Sequence, residues 1–104
     1  MSLNVLVFSL APDAEPQKHK NVMGSARCKV VTVLVKNLAE TIEECQRYIN
    51  SEGINTVILC PGYTHADVAE VVKVVGNTVS VSVARGDGPS NKISAAILEK
   101  AFQS

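Results

Sequence analysis

The chain has 104 residues, room for one small domain spanning 1–104 and no more. Ten Lys and Arg balance ten Asp and Glu, so no global field favours nucleic acid or an anionic membrane as a partner. Apolar residues make up 46% of the sequence, which excludes a disordered chain, and no apolar run nears the roughly 20 residues of a membrane-spanning helix.

The predicted elements alternate along the chain. Asn4–Phe8 is a strand-length apolar run. Ala14–Met23 is read as a thin first helix, with Val22 and Met23 as its apolar contacts and Gly24 as its stop. Val30–Val35 is a second strand. Next, Leu38, Ile42, Cys45 and Ile49 fall on one helical face, with Glu40, Glu43, Glu44, Arg47 and Glu52 largely opposite. Gly53 is placed to close that helix. Thr56–Leu59 is a third strand. Thr64 and Asp67 form a Thr-x-x-Asp start for a helix carrying Val68, Val71, Val72 and Val75, which Gly76 ends. Val79–Val83 alternates with period two, as an edge strand does. Pro89-Ser90-Asn91 then introduces a last helix with Ile93, Ala96, Ile97 and Ala101 on one face.

This β-α-β-α-β-α-β-α order predicts an α/β fold: a single three-layer domain around a four-stranded, mainly parallel sheet. The expected arrangement is flavodoxin-like, strand order 2-1-3-4, with right-handed helical crossovers. A ferredoxin-like sheet is the competitor. The first three runs lack polar alternation, the mark of strands buried on both faces, and this weighs against it. The thin Ala14–Met23 helix covers one sheet face poorly, and the sheet has two open edges, so a homodimer or higher homo-oligomer is expected.

Open parallel sheets bind ligands beyond the carboxyl ends of their strands. With order 2-1-3-4, the crevice falls between the loop after the first strand, which offers Asp13, and the loop after the third, Cys60-Pro61-Gly62-Tyr63-Thr64-His65. Cys60 precedes a helix N-terminus, whose dipole favours a thiolate, and His65 is near enough to act with it as the catalytic pair. Gly62, Tyr63 and Thr64 lie in the turn that would present backbone N–H groups to an anion. The plainer alternative makes Cys60 the last buried strand residue and Pro61-Gly62 an ordinary turn. After the fourth strand, Arg85 offers a fork for carboxylate or phosphate, and Asp87 either caps the last helix or holds Arg85. A plain surface turn with a local Arg–Asp pair is the competing reading.

A small anionic metabolite bound at these strand ends is the leading function. An acid–base enzyme of isomerase type using Cys60 or His65 is the first alternative, and a non-catalytic interaction protein is the second. No cofactor is called for. Three cysteines, Cys28, Cys45 and Cys60, include no CxxC or His-Cys cluster, so no metal is expected. Without an export signal the chain reads as cytoplasmic, with reduced thiols. The modest basic stretch around His19 has no interleaved aromatics, which argues against nucleic acid.

At Leu59–His65 and Val83–Gly88, the chain resembles a family of short, uncharacterised prokaryotic proteins. The likeness extends to Val5–Phe8, Leu10–Asp13 and His19, and so to nearly the whole chain. It implies an architecture and no chemistry. A second, local resemblance is to aspartate/glutamate-type racemases, which place a catalytic cysteine before Thr-His at a strand end. Here three residues separate Cys60 from Thr64-His65, and the second half that supplies those enzymes' second cysteine is absent.

Overall fold

The computed structural model describes residues 2–102. Its elements are β1 (Leu3–Leu10), β2 (Lys20–Gly24), β3 (Cys28–Val35), α1 (Leu38–Glu52), β4 (Thr56–Leu59), α2 (His65–Val75), β5 (Ser80–Val83) and α3 (Gly88–Ala101). They form a mixed α/β structure around one five-stranded sheet of order β2-β3-β1-β4-β5. β3, β1, β4 and β5 run parallel, and β2 is antiparallel to β3 at the edge. The expected four strands in order 2-1-3-4 are corrected to five.

The added strand replaces the helix expected over Ala14–Met23. That segment holds only two adjacent large apolar residues, Val22 and Met23, too few for a helical stripe. It instead makes a turn in which Lys18 N and His19 N both donate to Glu15 O (2.9 and 2.8 Å). A tight reversal follows, with Ser25 N donating to Cys28 O at 2.7 Å and Ser25 Oγ accepting from Cys28 N at 3.2 Å. This reversal folds β2 back along β3.

The core lies between the sheet and two helices. Leu6 and Phe8 of β1, Val31, Val33 and Val35 of β3, and Val57 and Leu59 of β4 meet Cys45 and Tyr48 of α1 and Val71 and Val75 of α2. Full burial of such a side chain contributes about 1.5–3 kcal/mol. Both crossovers move in the same direction across the sheet, so right-handedness puts α1 and α2 on one face, where they pack side by side. Among the described residues α3 packs to no substantial extent on any strand or helix. Within those residues the three expected layers are therefore two, because the segment expected as a covering helix joins the sheet edge as β2.

Helix ends follow the residues chosen for them. Asn37 Oδ1 accepts from Glu40 N at 2.9 Å to start α1, and Gly53, at φ 62°, ends it in the left-handed region that favours glycine. On α1 the buried stripe is Thr41, Glu44, Cys45 and Tyr48, so Glu44, expected on the polar face, is buried. Its Oε2 forms an ion pair with Arg47 Nε at 3.1 Å, while Oε1 has no hydrogen-bond partner among the described residues. Among the described residues no helix is long and apolar enough to cross a membrane.

Candidate functional site

The turn after β4 is anchored from both sides. Cys60 N extends the sheet ladder by donating to Phe8 O at 3.1 Å, and Tyr63 N reaches back to Cys60 O at 3.4 Å. Tyr63 is 6% exposed, its ring in the core. Its hydroxyl meets Thr41 Oγ1 at 2.6 Å, and Thr41 in turn donates to Asn37 O. Burial raises the Tyr63 phenol well above its ordinary pKa, and the bond to Thr41 opposes the shift. Tyr63 is thus a structural anchor whose polar atom points away from solvent.

Thr64 then starts α2 with a complete capping box. Its Oγ1 accepts from Asp67 N at 3.1 Å, and the Asp67 carboxylate accepts from Thr64 N at 3.0 Å. Val68 N donates to Thr64 O. His65 and Ala66 are left as the first-turn residues whose N–H groups have no acceptor within the helix. They mark the positive end of α2, tempered by the Asp67 carboxylate.

A cleft of about 390 Å³ opens beside this turn, between the ends of β4 and β5. Pro61, Val68, Val83 and Ala84 supply apolar wall, and His65 and Asn91 supply polar side chains, with Tyr63 and Gly86 completing the lining. Asn91 comes from the first turn of α3, where its N donates to Asp87 O at 3.0 Å. In the sequence Asn91 reads only as a helix-start residue. Its place in the cleft follows from Gly86, whose bare Cα leaves room for the Asn91 amide.

The remaining expected residues are not part of the lining. Arg85 does not line the cleft, although its chain neighbours Ala84 and Gly86 do; it is exposed, and its Nε donates to Asp87 Oδ1 at 2.8 Å. Asp87 holds Arg85 rather than capping α3, for which its side chain makes no bond. Gly62 and Thr64 flank the lining residues in the turn. Cys60 is absent from the lining. Its side chain packs against the core, and a Cβ built on Gly62 would lie 3.6 Å from its Sγ and 3.4 Å from Leu10 Cδ1.

The cleft lies one strand over from the expected position. Leu10, Cys60 and Gly62 occupy the space between the β1 and β4 loops. The loop after β1 leans toward β3, with Ala11 N donating to Val35 O at 2.9 Å. Asp13 follows that loop, exposed, and does not reach the cleft. A smaller groove of about 180 Å³, between Pro16, Gln17 and Glu40, Glu43 and Glu44, has acidic walls that the sequence did not single out. Among the described residues no three His, Cys, Asp or Glu side chains gather as a metal site.

With that geometry in place, comparison with known families gives one result. The model of DUF6506, a family of unknown function, matches residues 3–99, and the chain belongs to that family. Comparison with curated proteins and with solved structures finds no match.

Proposed function

We propose that this member of the DUF6506 family binds a small anionic metabolite in the cleft between the ends of β4 and β5. The observation that carries the reading is the cleft's position. It lies beyond the carboxyl ends of two adjacent parallel strands, where open α/β sheets hold ligands, and beside the N-terminus of α2. The lining suits a compact molecule with one apolar side and one acidic group. Pro61, Val68, Val83 and Ala84 would contact the apolar side. The N–H groups of His65 and Ala66, the Asn91 amide and Arg85, released from Asp87, would meet a carboxylate or phosphate. Binding, rather than catalysis, is the reading because Cys60 is outside the cleft that His65 lines.

A thermal-shift screen against small carboxylates and phosphorylated metabolites tests this. A ligand at about 100 times its Kd stabilises by about 2.7 kcal/mol, a rise of several degrees for a domain of this size. The expected result is a shift in the parent that Arg85→Ala and His65→Ala each reduce. No shift with any compound, or a shift that both variants retain, would overturn the reading.

A further inference from the structure

Among the described residues, helices cover one face of the sheet and none packs on the other, where Val5 is 8% exposed and Val7, Val30 and Ile58 are half-buried. Neighbouring residues of a strand point to opposite faces, while paired residues on adjacent strands share one. The pairings therefore define the face opposite α1 and α2 row by row. Met23, Val30, Val5, Thr56 and Ser80 make one row; Asn21, Thr32, Val7, Ile58 and Ser82 make the next. Among the described residues no helix packs over them. Neither row contains a charged side chain, although Asp, Glu, Lys and Arg are 19% of the sequence. A sheet face turned to water carries polar and charged residues in alternation with the core. Here the middle of the face is Val5, Val7, Val30 and Ile58. Depletion of charge around an apolar centre is the composition of a protein interface.

α3 is the second unpartnered surface. Ile93, Ile97, Leu98 and Phe102 are 63, 59, 50 and 46% exposed. Ile93 and Ile97 lie within about 40° of each other, and Leu98 and Phe102 follow roughly 100–140° further round with Ala101 between, so the apolar residues span about half of the helix. Lys92 and Glu99 lie on the other half and Lys100 at its border beside Ile93. The connection of α3 to β5 is braced at three points. Ala84 N is held by Leu59 O at 2.8 Å, Arg85 by Asp87 at 2.8 Å, and the Asn91 side chain fills the space over Gly86.

The surface area gives the scale. The chain exposes 6841 Å², whereas a compact monomer of 11.1 kDa exposes about 5,650 Å². The excess, roughly 1,200 Å², exceeds the ~800 Å² per partner of a standard stable interface. The radius of gyration, 14.1 Å, likewise exceeds the ~12.9 Å of a compact chain of this length.

We propose that the occupant of the open face is a second copy of this chain: a two-fold homodimer in which α3 of each copy seats its apolar stripe on the uncharged sheet face of the other. One chain carries both halves of the contact, so a two-fold axis satisfies both at once and closes the assembly. This restores, between two chains, the third layer that the sequence pattern calls for within one.

The test is sedimentation of the full chain at tens of micromolar, with Ile58→Glu on the open face and Ile97→Glu on α3. The unmodified chain is expected at twice its 11.1 kDa mass, and each variant is expected to weaken dimerisation by roughly thirtyfold or more. Circular dichroism reports whether each variant is folded. Ile97→Glu alters a helix that the body does not lean on, so it decides the matter if Ile58→Glu fails to fold. A monomeric parent would overturn the proposal. So would a dimer that Ile97→Glu leaves intact, since α3 would then not be the docking element.

Discussion

The phenol of Tyr63 and the hydroxyl of Thr41 meet at 2.6 Å in a buried pair 22 residues apart in sequence. Because the Thr41 proton is committed to Asn37 O at 2.9 Å, the phenol is the donor. The bond ties the turn that shapes the cleft to the first turn of α1. Tyr63→Phe leaves Thr41 Oγ1 a buried acceptor without its donor, at a cost of about 1 kcal/mol. Thermal unfolding at fixed protein concentration should show a fall of about 4–8 °C. An unchanged Tm would mean that the pair contributes nothing.

The two N-caps near the cleft differ, and their substitutions should differ in step. Thr64 closes both bonds of a capping box, so Thr64→Ala is expected to cost about 1 kcal/mol. Asp87 spends its carboxylate on the exposed Arg85 and caps nothing. Asp87→Ala should therefore leave stability within about 0.5 kcal/mol of the parent. Urea titration of the two variants side by side would show the contrast or its absence.

Glu44 makes stability depend on pH. Burial raises its carboxyl above the usual 4.5, Glu43 and Glu40 add to the rise, and Arg47 and Lys20 oppose it. A carboxyl raised on folding holds its proton more tightly in the folded chain. Its contribution is therefore fullest below pH 4.5 and is lost as pH climbs through the raised value. Glu44→Gln should match the parent near pH ~4 and surpass it near pH ~7. Tm measured across that range checks the sign; a variant less stable at neutral pH would show that the ion pair with Arg47 outweighs burial.

The three thiols should separate by reactivity. Cys45 is fully buried and its pKa is pushed up to about 12 by burial, so the thiolate that reacts with disulfide reagents is scarce. Cys28 and Cys60 are partly exposed. Ellman's reagent should therefore leave Cys45 unmodified in the native protein and reach it on adding denaturant. Peptide mapping that found Cys45 labelled in the native state would contradict its place in the core.

The elements that local pattern could specify were legible in the chain. Apolar runs marked β1, β3 and β4, the period-two alternation of Val79–Val83 marked β5, and the Leu38–Gly53 and Thr64–Gly76 periodicities with their caps marked α1 and α2. Ala14–Met23 departs from the expected helix because a short segment with Val22 and Met23 side by side has no period, so the pairing of Lys20–Gly24 with β3 decides its conformation. Glu44 was misplaced for a related reason. The stripe of α1 is rotated toward Thr41 and Tyr48, whose hydroxyls are paired or packed, and polarity alone does not show that.

For the candidate site, the two loops were visible as Pro61-Gly62 and Gly86, because turns and close approaches need those residues. Which loops would face each other was not visible. Leu10, Cys60 and Gly62 fill the expected crevice, and Asn91 enters the actual one from α3.

By itself, then, the sequence determined the α/β class, the parallel pairing and the caps, since these follow from hydrophobic period and turn chemistry within a few residues. Only the tertiary structure decided that β2 takes the place of a covering helix, that the cleft sits between β4 and β5, and that among the described residues one sheet face and α3 stand unpartnered. Those outcomes depend on contacts between residues far apart in the chain, where space filling and hydrogen-bond geometry outweigh local preference.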